Sequence, residues 1–148
     1  GIRSVQVYPD EFDKPTITVR PYILGYPLKT ADSLTFLSKL ISRLQADDLA
    51  PNAVLVDSYH PGMHGGTGQV LAWEQLDGYR CGVPLILAGG LNPENVVRAI
   101  EIVQPAGVDV ASGVESLPGK KDRGKVRAFL QAVRSISPLS QESPLHFV

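Results

Sequence analysis

The sequence predicts an α/β protein built on a parallel β-sheet. Three short, almost uninterrupted apolar runs, at residues 53–56, 84–88 and 108–111, are separated by segments with helical spacing. Strands buried on both faces of a parallel sheet have this pattern, and helices connect them. Each run ends in glycine or acidic residues, and binding sites in parallel α/β folds form at the carboxyl ends of the strands. Residues 53–115 are therefore expected to hold successive β-α units with one functional face.

The composition limits the classes of protein to which this chain can belong. It has 148 residues, 43% hydrophobic and 20% charged, as in folded globular domains. The net charge of −1 gives no basic field for nucleic acid, and no apolar run approaches the roughly 18 to 20 residues of a membrane span. Cys81 is the only cysteine, which excludes an internal disulfide and suits a reducing compartment. We therefore expect a cytoplasmic protein without nucleic-acid or membrane partners.

The first part of the chain predicts two strands and a helix. Residues 4–8 form a short strand that ends at a proline, which has no N–H to donate. Residues 16–20 form a second strand rich in β-branched side chains, and residues 21–27 are interpreted as strand end and loop. Thr30 and Asp32 are N-cap candidates for the helix that follows. Its apolar stripe is Leu34, Leu37, Leu40, Ile41 and Leu44.

Helices also follow the central strands. Residues 69–76 predict a short helix with Val70, Trp73 and Leu76 on one side. Asn92 is expected as the next N-cap. The buried side of that helix is expected to be Val96, Val97, Ile100 and Val103.

The last helix is expected to begin after Asp122, its predicted N-cap. Residues 137–148 contain two prolines and no clear period. We therefore divide the chain into one domain at residues 1–136 and a loosely ordered tail at residues 137–148. The apolar side of the last helix is Val126, Phe129, Leu130 and Val133.

Two kinds of residue at the strand ends could carry chemistry. Asp57 ends the first central strand, where a carboxyl group can act as an acid, cap a loop or pair with an arginine. Gly89-Gly90 and Ser112-Gly113 follow the next two strands. Glycine lets the backbone approach a phosphate closely and present N–H groups, although tight turns also require glycine. We favour phosphate binding.

The ordered motifs of this region carry a family resemblance. They are Leu-Val-Asp-Ser at 55–58, Gly-Gly-Thr-Gly at 65–68, Ile-Leu-Ala-Gly-Gly-Leu-Asn-Pro-Glu-Asn-Val at 86–96 and Gly-Val-Asp-Val-Ala-Ser-Gly-Val-Glu-Ser at 107–116. Together they resemble the C-terminal half of phosphoribosylanthranilate isomerase, a tryptophan-pathway enzyme that performs an Amadori rearrangement on a (β/α)8 barrel. The resemblance is good over residues 53–135 and looser before them.

The resemblance implies a partial (β/α)8 TIM-type barrel. A complete barrel takes about 250 residues, and about 200 at the compact end. We count about five strands, which would be the family's strands four to eight, with three units absent at the N-terminus. The chain also lacks an initiating methionine, which suggests a piece of a longer protein. At residues 5–9 it has Val-Gln-Val-Tyr-Pro where the family usually has Val-Gln-Leu-His-Gly.

The resemblance also implies roles for individual residues. Asp57 would be the general acid that protonates the ribose ring oxygen, a task that needs a carboxyl group whose pKa is raised by burial. Asp109 would orient the substrate, or equally form a buried structural pair. No metal or organic cofactor is implied. The loop that contains Gly65 and Gly66 would lie over the active site, or equally be a mobile linker. The expected substrate and phosphate contacts are Gly65, Gly66, Gly89, Gly90, Asp109, Ser112 and Gly113.

Other reactive residues are interpreted as structural. Glu115 would repel a phosphate dianion, so we expect it to pair with a lysine or cap a helix. His60 and His64 have no third ligand in view, and we do not expect a zinc site. Cys81 lies in a turn before a strand and is not expected to be a nucleophile. Lys120 and Lys121 are expected to be a solvated charge pair.

The family's general base is absent from this sequence. That base is a cysteine in a Lys-x-Cys-Gly motif on the first strand, and the family's arginine after the second strand is missing too. Our first hypothesis is therefore the C-terminal portion of the isomerase, inactive by itself. The alternative is a non-catalytic phosphate-binding partial barrel, or one that self-associates through its open sheet edges. A different phosphate-binding barrel enzyme is disfavoured by the combination of Leu-Val-Asp-Ser with Ser-Gly-Val-Glu.

Overall fold

The computed structural model is a parallel sheet flanked by helices. It describes residues 4–8, 21–28, 32–57 and 73–136. The predicted strand at residues 16–20, the loop that contains Gly65 and Gly66, and the tail at residues 137–148 lie outside these ranges.

Five parallel strands form one sheet in chain order, which confirms the predicted number and direction. Among the described residues the first and last strands each pair on one side only, so the sheet does not close into a barrel. The strands are β1 (Val5–Val7), β2 (Tyr22–Pro27), β3 (Ala53–Asp57), β4 (Leu85–Ala88) and β5 (Gly107–Val108).

In the described ranges three helices cover the sheet, and a small hairpin follows it. The helices are α1 (Ser33–Ala46), α2 (Val96–Val103) and α3 (Arg123–Ile136). Single 3-10 turns occur at Trp73–Leu76 and Ser112–Val114, and the antiparallel hairpin consists of β6 (Glu115–Leu117) and β7 (Lys120–Lys121). The sequence did not predict the hairpin. No helix in the described ranges combines the length and the apolar character that a membrane span requires.

The main core lies between the helices and one face of the sheet. Leu37, Ile41 and Leu44 of α1 are fully buried, as the apolar stripe predicted. In α2 the buried positions are Val96, Ala99 and Val103. Of the other predicted α2 positions, Val97 and Ile100 are only half-buried. In α3 the buried residues are Phe129 and Val133, with Val126 and Leu130 half-buried beside them.

The opposite face of the sheet carries a smaller apolar cluster. It contains Ile23, Leu55 and Ala88, each under a tenth exposed. Successive side chains of a strand alternate between faces, so Asp57, two residues after Leu55, lies on this same face. The face opposite the helices therefore leads directly to the candidate site.

Three predicted elements differ from the structure. The segment interpreted as strand end and loop forms β2 from Tyr22 to Pro27, because pairing with β3 extends from Ile23 to Pro27 and outweighs the turn preference of Gly25 and Pro27, while β1 pairs with Tyr22–Leu24. The last strand stops at Val108, so Asp109 follows it, with its backbone N–H donating to the Leu87 carbonyl at 2.8 Å. The described part of the predicted helix at residues 69–76 is a 3-10 turn.

Candidate active site

The carboxyl ends of β3, β4 and β5 open on one cavity of about 230 Å³. Strand register explains the convergence: Asp57 pairs with Ala88, and Leu87 pairs with Val108. The strands are parallel, so the residues after each of them meet at one edge of the sheet. The predicted site residues that line this cavity are Asp57, Gly89, Gly90, Asp109, Ser112 and Gly113.

Asp57 is half-buried at the end of β3. Its backbone carbonyl accepts a hydrogen bond from the N–H of Leu28 at 2.9 Å, which holds the end of β3 against the residue after β2. The side chain of Asp57 lines the same cavity as Gly90 and Gly113. The carboxyl group and both glycine turns therefore lie on one rim. Asp109 is exposed on that rim, one residue beyond β5.

The segment after β4, residues 89–95, is the Gly89 turn. Gly89 and Gly90 have φ of 88° and 66°, the left-handed region that favours glycine. Nothing lies within 4 Å of a Cβ added to Gly90. Glycine is therefore favoured at this position by the backbone conformation and not by a lack of space. At the start of α2, the side-chain amide of Asn95 donates a hydrogen bond to the Gly90 carbonyl at 2.9 Å.

Two asparagines cap the Gly89 turn reciprocally. Asn92 Oδ1 accepts from the N–H groups of Glu94 and Asn95 at 2.9 and 3.0 Å, so Asn92 caps the turn before α2, whereas the N-cap of α2 itself is Asn95 and not Asn92 as predicted. Asn95 Oδ1 accepts from the Asn92 N–H at 2.8 Å. Regular helix begins only at Val96. Sequence reasoning missed Asn95, although the Asn-x-x-Asn spacing is that of a capping box.

The segment after β5, residues 111–121, is the Gly113 segment. A Cβ added to Gly113 would overlap the Leu91 carbonyl oxygen, and the Leu91 carbonyl carbon would lie 2.8 Å away. Only glycine therefore allows this segment to lie against the Gly89 turn. The contact brings both turns to one wall of the cavity.

Lys121 holds the Gly113 segment in place. Its Nζ donates to the Ala111 carbonyl at 2.7 Å and to Glu115 Oε1 at 2.9 Å, and the Gly119 N–H donates to Glu115 Oε2 at 3.0 Å. The hydrogen bond from Lys121, and after it the one from Gly119, lowers the pKa of Glu115 below its usual value of 4.5. The structural role predicted for Glu115 is confirmed. Lys120 and Lys121 are both exposed, as predicted, but Lys121 also bonds to Ala111 and Glu115, which the sequence did not predict.

Sequence reasoning also missed Tyr8, which lines the cavity beside Leu55. Tyr8 follows β1, whereas the Gly113 segment follows β5, which is four strands away in the sheet. The available signal was Gly25, since an interior strand glycine often marks a close approach.

Cys81 lies at the other end of the sheet, on the amino side of β4. Its thiol is half-buried and donates to the Val83 carbonyl at 3.7 Å. It is not part of the cavity at the strand ends. In the described ranges no three potential metal ligands cluster, and His60 and His64 lie outside those ranges.

A larger groove, about 580 Å³, runs along α3. Its lining includes four cationic side chains and no carboxyl group: Lys121, Arg123, Arg127 and Arg134. Because none of the five parallel strands ends in this groove and no glycine lines it, we place the candidate site in the smaller cavity.

The family model for N-(5′-phosphoribosyl)anthranilate (PRA) isomerase matches residues 4–132. The chain belongs to this isomerase family. N-(5′-phosphoribosyl)anthranilate isomerase from Leptospira interrogans is 51% identical over 90 residues, which cover 61% of this chain and 41% of that protein. The isomerase from Pseudomonas fluorescens strain Pf0-1 is 44% identical over 117 residues, covering 78% of this chain and 52% of that protein. The chain thus spans about half, or less, of the length of these relatives.

Solved structures of the family share the fold. Phosphoribosyl anthranilate isomerase from Thermotoga maritima is 30% identical with a TM-score of 0.68, covering 91% of this chain and 63% of that one. A family structure in complex with reduced 1-(o-carboxyphenylamino)-1-deoxyribulose 5-phosphate is 27% identical with a TM-score of 0.60, covering 91% and 61%. The predicted partial TIM-type barrel is confirmed by these likenesses and by the five parallel strands.

Proposed function

We propose that this chain is the C-terminal portion of a phosphoribosylanthranilate isomerase of cytoplasmic tryptophan biosynthesis. The complete protein would convert N-(5′-phosphoribosyl)anthranilate to 1-(o-carboxyphenylamino)-1-deoxyribulose 5-phosphate. The observation that carries the proposal is the single cavity in which Asp57 faces the Gly89 turn and the Gly113 segment, in a chain of this family.

The two glycine turns would hold the phosphate. Left-handed glycine backbone exposes N–H groups, and loops after the last two strands of such barrels commonly bind phosphate. Glu115 would otherwise repel the dianion, but Lys121 and Gly119 already hold its carboxylate. Ser112, exposed on the cavity wall, would add a hydroxyl donor.

Asp57 would act as the general acid. Its proton goes to the ribose ring oxygen while the bond from that oxygen to C1 breaks, and the nitrogen lone pair forms a protonated Schiff base. Removal of a proton from C2 then gives an enol-amine that tautomerises to the ketone. The redox change is internal, since C1 is reduced as C2 is oxidised, so the reaction needs no cofactor.

The C2 proton would be removed by a base, which in the family is the cysteine of a Lys-x-Cys-Gly motif. The sequence has no Lys-x-Cys-Gly motif, and Cys81 lies on the amino side of the sheet. We therefore propose that the chain alone turns over negligibly. Gly65 and Gly66 would lie near the anthranilate group, and Asp109 would orient the sugar.

Ligand titration of the purified chain tests this proposal. We expect the reduced product analogue to bind, inorganic phosphate to compete with it, and an isomerase assay to show negligible turnover. Gly113→Ala should weaken both ligands, whereas Gly107→Ala, whose added Cβ would make an ordinary 3.8 Å contact with Ile86, should weaken neither. Wild-type-like turnover would refute inactivity, and failure to bind either ligand would refute the assignment of the site.

A second candidate is a non-catalytic, self-associating phosphate binder. The two edge strands of the described sheet, β1 and β5, favour it because open edges promote association. Light scattering separates monomer from dimer. Phosphate binding by a dimer, with no affinity for the arylamino sugar phosphate, would favour this candidate over the isomerase.

A further inference from the structure

Tyr8 lines the cavity from the β1 side of the sheet, whereas the two glycine turns follow β4 and β5. It directly follows β1, the edge strand opposite β5, yet it lines the same cavity as Leu55 and Asp57 of β3. Neighbouring strands are about 4.8 Å apart, so the side chain must cross β2 to reach β3.

Gly25 of β2 makes this crossing possible. In the register of the sheet, Val7 pairs with Leu24, which places Gly25 level with Tyr8, and Gly25 pairs with Leu55. A Cβ added to Gly25 would lie 2.5, 2.7 and 2.8 Å from Cε1, Cζ and Cδ1 of the Tyr8 ring. The ring occupies the space that any other residue would fill with its own side chain.

The crossing leaves an aromatic surface facing the cavity. Tyr8 is 56% exposed, and among the large hydrophobic side chains of the described residues only Phe36 and Leu117 are exposed as well. Its hydroxyl oxygen accepts a hydrogen bond from Gln6 Nε2 at 2.6 Å, which holds the tip of the ring. Beside it, Leu55 is 5% exposed and apolar. This end of the cavity suits a flat aromatic group, and the opposite end suits a phosphate.

We propose that Tyr8 is a specificity-determining residue that packs against the aromatic ring of an N-aryl sugar phosphate, and that Gly25 is the residue that positions it. The inference rests on the proposed function and deepens it. With the phosphate at the Gly89 turn and the sugar beside Asp57, the part of the ligand farthest from the phosphate lies over β2, against Tyr8. Sugar phosphates without an aryl group do not reach this surface.

Calorimetric titration of the 148-residue chain with two ligands tests the proposal. The ligands are reduced 1-(o-carboxyphenylamino)-1-deoxyribulose 5-phosphate and ribose 5-phosphate, which lacks the aryl group. We expect Tyr8→Ala to weaken the aryl ligand about tenfold and ribose 5-phosphate less than about twofold. Tyr8→Phe keeps the ring, so both affinities should stay within about twofold of wild type.

Gly25→Ala tests the positioning role with Tyr8 intact. The added methyl group displaces the ring, so we expect a selective loss for the aryl ligand like that of Tyr8→Ala. Adding Gly25→Ala to Tyr8→Ala should cause no further loss, since both changes remove the same contact. Gly107→Ala is the matched control, a strand glycine with room for a Cβ, and it should leave both affinities unchanged.

The outcomes separate this inference from the proposed function. If wild type binds neither ligand, the proposed function falls and the inference falls with it. If both ligands bind but Tyr8→Ala weakens neither, or weakens both equally, only the inference is overturned. Circular dichroism checks that each variant folds, and if Gly25→Ala does not fold, the Tyr8→Ala and Tyr8→Phe pair decides.

Discussion

The Gly89 turn and the Gly113 segment line one cavity but are held in different ways. Within the Gly89 turn, the side chains of Asn92 and Asn95 form hydrogen bonds to residues no more than five positions away. In the Gly113 segment, Lys121 instead bonds to Ala111 ten residues away, and Gly113 lies against the carbonyl of Leu91 in the Gly89 turn.

The glycines of the two regions are therefore required for different reasons. Gly90 has a left-handed backbone with open space where a Cβ would be. Gly113 has no positive φ but no room for a Cβ. Similar glycine motifs thus represent a local conformational requirement in one region and a tertiary packing requirement in the other.

Gly113→Ala should have the largest effect. The methyl group overlaps backbone atoms of Leu91, which cannot rotate away as a side chain could, so one of the two segments must shift. We expect a loss of about 3 kcal/mol in the free energy of unfolding, measured by urea titration. Gly107→Ala serves as the control. A loss below about 1 kcal/mol would mean that the two regions can move apart at little cost to admit the methyl group.

Gly90→Ala should cost less, because only the backbone conformation opposes it. We expect a loss of about 1 to 2 kcal/mol in the same titration. Gly90→Asn should lose less than Gly90→Ala, since asparagine tolerates left-handed backbone better. Equal losses for the two variants would show that something other than φ is responsible.

Asn95→Ala should lower the stability of the chain slightly less than Gly90→Ala does. It removes the hydrogen bonds of Asn95 with Asn92 and Gly90, for which we expect a loss of about 1 kcal/mol in unfolding free energy. Asn95→Asp keeps the acceptor for the Asn92 N–H but replaces the donor to the Gly90 carbonyl with a charged oxygen. If the Asn92 contact carries the effect, Asn95→Asp should retain most of the stability that Asn95→Ala loses; if the Gly90 contact carries it, the two variants should lose about equally.

Glu115→Gln should have the smallest effect, and that effect should depend on pH. The folded pKa of Glu115 is below 4.5, so its contribution to stability is present above the unfolded pKa and is lost as pH falls through the folded pKa. We expect the stability difference between wild type and Glu115→Gln to be largest at neutral pH and to shrink on acidification below about pH 4.5.

Lys121→Met provides the control for this pH dependence. In that background the pH-dependent difference should be smaller, because Lys121 is the first cause of the lowered pKa. An unchanged difference would assign the effect to the Gly119 N–H instead.

The features that the sequence predicted are the local and periodic ones. Continuous apolar runs identified β3 and β4, the spacing of Leu37, Ile41 and Leu44 identified α1, and Asn92 was recognised as a cap. The sequence-based prediction failed where pairing between strands outweighed the local turn preference of glycine and proline. β2 (Tyr22–Pro27) contains glycine and proline, yet it is a strand because it pairs with β1 on one side and with β3 on the other.

By itself, the sequence determined the order of the three central strands and of the three helices, the acidic residue at the end of β3 and the positions of the glycine turns, since these depend on composition and period along the chain. Only the tertiary structure decided that Gly113 must accommodate Leu91, that Lys121 must bind Ala111, and that Tyr8 crosses Gly25 into the cavity. Such contacts join residues whose proximity results from sheet register and packing, and no local pattern encodes them.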